Sequence, residues 1–168
     1  MDSIPMIVIS GQVESRMIGT DGFQETDMVG VSRPVVKHSF MVQEAKDIPL
    51  IVKKAFHIAT TGRPGPVVID IPKDATDPKE KVAYEYPKDV KLRSYAVPGK
   101  GHTGQIKKAV DALLSAKRPM IYAGGGVVQG NGSEQLVNVT KKLGFPITNT
   151  LMGLGAYPAS DKQFLGML

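Results

Sequence analysis

Apolar residues in this chain fall in short blocks separated by glycine, proline and charged turns, and the spacing within each block assigns it to strand or helix. The run Ile4 to Ser10 is β-branched, uninterrupted after Pro5 and closed by Gly11, which predicts a strand buried on both faces. From Asp47, the expected N-cap, Ile48, Ile51, Val52, Ala55, Phe56 and Ala59 recur at helical spacing with Lys53, Lys54 and His57 opposite, and Gly62 is the expected stop. GRPGP then turns the chain into Val67-Val68-Ile69-Asp70-Ile71, a second central strand ended by Pro72. Helix followed by buried strand is the grammar of a parallel sheet.

The pattern breaks at residues 74–101, which are charged, contain Pro78, Pro87 and Pro98 and hold no sustained period. Beyond them Thr103 is the expected cap of a helix with Ile106, Ala109, Val110 and Leu113 on one side, followed by a strand over Pro119–Ala123. Gly124-Gly125-Gly126 reads as a loop. A helix near Ser133 to Leu143, burying Leu136, Val139 and Leu143, stops at Gly144 and feeds a strand over Pro146–Thr150. The result is a right-handed β-α-β unit. The fold class is α/β, parallel sheets with flanking helices, in two incomplete domains: 1–76, an interdomain linker at 77–102, and 103–168. Both ends interrupt an element, so the chain reads as truncated on either side.

Composition narrows the chemistry. Among 168 residues there is no cysteine, which excludes disulfides, thiolate metal sites and a cysteine nucleophile. A net charge of +5 raises nucleic-acid binding, but the cations are scattered as helix pairs such as Lys53-Lys54 and Lys107-Lys108, without interleaved aromatics. No apolar run approaches the roughly 20 residues of a membrane helix, and the start lacks signal-peptide features, so a cytoplasmic location is expected.

Three stretches are candidates for function. YAGGGV follows a strand and precedes a helix, where glycine admits a phosphate to the backbone; a generic tight turn explains it equally well. GTDGFQETD carries three acids at spacing unlike a calcium loop, which a helix start capped by Thr20 or Asp21 would account for, and Phe23 is either a core plug or a ligand wall. Lys73 lies just past the end of a predicted parallel strand, the end at which such sheets bind ligands, although a Pro-Lys-Asp turn would expose a lysine anyway. His38 and His57 have no partner at metal spacing, and His102 fits a helix start.

In order along the chain, IPMIVISGQV, IGTDGFQETDMVGVSRPVVKHSF, GRPGPVVIDIPKD, GHTGQIKKAV, YAGGGV and TLMGLGAYP closely resemble the catalytic subunits of the acetolactate (acetohydroxyacid) synthase family, thiamine-diphosphate-dependent enzymes. The resemblance implies the end of a pyrimidine-binding domain followed by the start of a central, flavin-binding domain. It implies decarboxylation of pyruvate and transfer of the two-carbon unit to a second 2-keto acid, pyruvate or 2-ketobutyrate, in branched-chain amino-acid biosynthesis. Phe23 and Gln24 would form the active-site wall, serving a neighbouring subunit's cofactor, with Lys73 at the channel mouth. Arg63, Gly124, Gly125, Gly126, Thr150, Leu151 and Met167 would hold FAD. Thiamine diphosphate and Mg2+ would be bound by residues outside this stretch, including the catalytic glutamate, so no metal ligand is expected here and the chain by itself should be inactive.

The expected partners are further catalytic subunits, as a dimer or tetramer, and a small regulatory subunit. Glu14 departs from the proline that the family usually has after GQV, placing a charge beside its inhibitor-accessible channel. The rivals are pyruvate oxidase or glyoxylate carboligase on the same architecture, and a non-catalytic flavin- or nucleotide-binding module.

Overall fold

A computed structural model describes residues 2–168 and divides them into two compact units, residues 1–99 and 100–168. In the first, strands β1 (Met6–Gln12), β2 (His38–Met41) and β3 (Pro66–Pro72) form a parallel sheet in the order β1-β3-β2. The uninterrupted β-branched run puts β3 in the middle, where Val67, Val68, Ile69 and Asp70 are all buried. Helix α2 (Ile48–Thr60) covers one face: Ala55, Ile58 and Ala59 pack with Val67, Ile69 and Val42. Each large aliphatic side chain so buried contributes on the order of 1.5–3 kcal/mol. The five-residue helix α1 (Met28–Ser32) lies against β2 and β3, and its Ser32 hydroxyl is 2.9 Å from that of Ser39.

Several expectations need correction. The first strand is not buried on both faces: it pairs only with β3 among the described residues, leaving Met6 and Ile9 exposed. Phe56 is exposed and Ile58 takes its place in the core, because at 100° per residue Phe56 stands a quarter-turn from Ala55 whereas Ile58 lies within the apolar arc. Asp47 precedes α2 in a helical conformation, its side chain making no cap bond; the helix instead continues from a 3-10 turn at Ala45–Asp47. Neither Thr20 nor Asp21 caps a helix. That role falls to Asp27, whose carboxylate accepts from Gly30 N–H at 2.8 Å.

Residues 77–102 form neither helix nor strand, yet part of this stretch packs on the first unit. Leu92 joins the core cluster. The Lys37 ammonium donates to the carbonyls of Ile58 and Thr61 at the end of α2 and to the Tyr95 hydroxyl at 2.9 Å.

In the second unit α3 (Thr103–Ser115) starts one residue earlier than expected, with His102 rather than Thr103 as its cap. A parallel sheet of order β4-β5-β6 is built from Ile121–Ala123, Ile147–Asn149 and Phe164–Met167. Between the first two strands lie α4 (Gly125–Gln129), formed where a loop was expected, and α5 (Ser133–Leu143). The latter ends on Gly144 at φ 70°, a left-handed stop that glycine adopts without strain. Leu136 and Val137 pack on the core of Ala123, Ile147 and Tyr157, while Val139, expected inside, is exposed on the flank. No residue of α3 is buried.

Candidate active site

The C-terminal ends of β1 and β3 lie side by side because the two strands pair in register, with Gln12 opposite Pro72. The chain leaves β1 into a 3-10 turn at Ser15–Met17 and leaves β3 into another at Lys73–Thr76. Ser15 joins the two turns: its N–H and hydroxyl both reach Asp74 Oδ1, at 2.9 and 3.1 Å. The Ser15 N–H is the main cause holding the Asp74 carboxyl below its ordinary range.

Beside these turns an open depression of about 310 Å³ is lined by Gln12, Val13, Glu14, Met17, Phe23, Gln24 and Lys73, with Gly11 at its base. All three side chains read from the sequence as catalytic thus meet in one place. Phe23 is 85% exposed, so it is no core plug. Gln24 has φ 65°, a left-handed conformation that costs a non-glycine residue on the order of 1–3 kcal/mol and concentrates at functional sites. The Lys73 ammonium is exposed, 3.9 Å from Glu14 Oε1, while Glu14 Oε2 accepts from Arg16 Nε at 2.8 Å.

Two of the three acids in this stretch, Glu25 and Asp27, are spent on backbone N–H groups. Glu25 accepts from the N–H groups of Gly19 and, at 2.9 Å, Gly22. Those bonds, Gly19 foremost, lower its pKa. With Asp27 used as a cap, the stretch offers no cation cage, and among the described residues no group of His, Asp or Glu could hold a metal ion. Sequence reasoning passed over Gln12 and Met17 as lining residues. The available signal was a polar side chain ending a β-branched run at the ligand-binding edge of a sheet.

In the second unit Gly124, Gly125, Gly126, Thr150 and Leu151 gather at the C-terminal ends of β4 and β5, with Met167 ending β6. Thr150 N–H donates to Ala123 O at 3.0 Å, and its hydroxyl accepts from Gly153 N–H at 3.1 Å. A Cβ on Gly125 would stand 2.9 Å from Met152 O, so that glycine serves packing. One on Gly126 would meet nothing within 4 Å, and Leu151 and Met167 are exposed. Arg63 belongs to the first unit, on the turn between α2 and β3, where its Nε donates to Ser3 Oγ at 2.8 Å.

Known proteins resemble this chain in sequence and in fold. Residues 106–168 match the family described as thiamine pyrophosphate enzyme, central domain. Over 167 residues, 99% of the chain, it is 62% identical to the acetolactate synthase large subunit of Haemophilus influenzae, and over its full length 53% identical to the acetolactate synthase isozyme 3 large subunit of Escherichia coli. The chain spans 29% of the length of each. A solved structure of a candidate thiamin diphosphate-dependent enzyme from Mycobacterium smegmatis superimposes on 99% of the chain and 32% of its own, at 23% identity and a TM-score of 0.80, which establishes the shared fold. Along essentially its whole length the chain is similar in sequence to acetolactate synthase large subunits, and over residues 106–168 to the central domain of thiamine pyrophosphate enzymes.

Proposed function

We propose that this chain supplies part of the active-site wall and of the flavin-binding region of an acetolactate synthase, which decarboxylates pyruvate and joins the two-carbon unit to pyruvate or 2-ketobutyrate. The observation that carries this reading is the convergence of Phe23, Gln24 and Lys73 on one open depression at the ends of two parallel strands. A 2-keto acid has a carboxylate for the Lys73 ammonium, a keto oxygen for the Gln24 amide and a short alkyl group for Phe23 and Met17. Thiamine diphosphate would provide the carbanion chemistry; the role of these residues is to orient the keto acid and exclude water. The high exposure of Phe23 supports a wall completed by a second copy of the subunit. The relatives' designation as large subunits supports a small partner subunit as well.

The residues of the second unit suit a flavin. Open space at Gly126 admits a ligand to the backbone, Leu151 and Met167 offer apolar surface, and the Thr150 hydroxyl, accepting from Gly153, still has its proton to donate. Magnesium would be held by residues elsewhere in the enzyme. In the full-length enzyme, Gln24→Ala and Lys73→Ala should each raise the KM for pyruvate or lower kcat by tenfold or more, on the order expected when a positioning contact is lost. Unchanged kinetics in both variants would falsify this assignment.

A further inference from the structure

The middle strand of the first sheet carries a carboxylate where packing alone favours another aliphatic residue. Asp70 is fully buried in β3, and a buried carboxylate costs free energy unless hydrogen bonds offset it. Its Oδ1 has no partner; its Oδ2 accepts from Gln12 Nε2 at 3.0 Å. Stability gives little reason for an acid here. The Gln12 amide gives one. Its Nε2 also donates to Thr26 O at 2.6 Å, and its Oε1 accepts from Val13 N–H at 2.9 Å. A carboxylate only accepts, so it requires Nε2 rather than Oε1 to face β3, and the nitrogen so turned also grips Thr26. Thr26 lies two residues from Gln24, in the loop that bears Phe23.

We propose that Asp70 is a positioning residue for the 2-keto acid site, acting through Gln12 to set the Gly19–Asp27 loop so that Phe23 and Gln24 meet the substrate. This rests on the reading above that those two residues touch the keto acid. Asp70 does not line the depression, whereas Gln12 does, so the linkage runs from the sheet through one amide to the loop.

The test uses the full-length enzyme with pyruvate and 2-ketobutyrate in competition, comparing Asp70→Asn and Gln12→Met with Phe23→Ala and Gln24→Ala. Asp70→Asn keeps the shape but lets an N–H face Gln12, and Gln12→Met removes both donated bonds. Each should lower kcat/KM for pyruvate about tenfold and shift the product ratio in the same direction as Gln24→Ala, and the double variant should be no worse than the worse single one. A purely structural Asp70 would reduce Tm and active yield while leaving KM and product ratio at wild-type values, which overturns the proposal. If Asp70→Asn does not fold, Gln12→Met decides alone by the same criterion, since its side chain is only half-buried. Unchanged KM and product ratio in Phe23→Ala and Gln24→Ala would sink the substrate reading and this proposal with it. Changes in those two but not in Asp70→Asn and Gln12→Met would sink the positioning role alone.

Discussion

The two units finish their parallel sheets in different materials. At the ends of β1 and β3 the first unit presents side chains: an aromatic and an amide on a loop bonded by Glu25 and Gln12, and an ammonium on the turn that follows β3. At the ends of β4 and β5 the second presents mostly backbone, with glycines packed against a 3-10 turn and one glycine open to solvent. The proposed keto-acid site thus relies on side-chain chemistry, and the proposed flavin site on close approach to the backbone.

The sharpest way to break this comparison lies within the glycines. A Cβ on Gly153 would stand 2.4 Å from Ala123 O, backbone against backbone, so Gly153→Ala should destabilise by about 1–3 kcal/mol in denaturant titrations. Gly126→Ala, with open space, should change stability by less than about 1 kcal/mol while lowering flavin content. Equal stability losses in the two variants would mean that packing, not a ligand, explains the whole turn.

For the first unit, the loop brace has a defined pH dependence. The folded Glu25 carboxyl titrates below its ordinary value of 4.5, so the brace is complete above that value and is lost as pH falls through the depressed one. Proteolytic cleavage within residues 19–27 should stay low from neutral pH down to about 4.5 and rise only below it; Glu25→Gln should be cut throughout. A wild-type rise already near neutral pH would show that Glu25 does not hold the loop.

Smaller effects sharpen the picture. Gln24→Gly should gain roughly 0.5 kcal/mol by relieving the left-handed backbone and yet lose turnover. Full turnover would mean that the loop needs the conformation and not the amide. Smallest of all, Glu14→Gln should shift stability by under about 0.5 kcal/mol, because both of its ion-pair partners, Arg16 at 2.8 Å and Lys73 at 3.9 Å, are exposed. A larger shift would make Glu14 part of the brace.

Local patterns carried much of this. The 3.6-residue period placed α2 and α5, and the continuous β-branched run identified β3, since these elements bury residues that are near neighbours in sequence. β2 escaped because its four residues, His38 to Met41, are too short a run to show a period, and their strand state comes from pairing with β3. β6 likewise depends on β5, and its Gly166 at φ 95° breaks the expected alternation. At the candidate site Phe23, Gln24 and Lys73 were recognisable through the family's motifs, but the lining by Gln12 and Met17 was not.

By itself the sequence determined the α/β class, the buried middle strand and the family resemblance, because periodicity, β-branching and contiguous motifs are local properties. Only the tertiary structure decided that β1 pairs on one side alone among the described residues, that Ile58 rather than Phe56 enters the core, and that Glu25 braces its loop while Asp27 rather than Thr20 or Asp21 caps a helix. It alone joined Gln12 to Asp70 across 58 residues of chain. Such contacts depend on which strands pair and in what register, and pairing is set by the burial of the whole sheet rather than by any local run of residues.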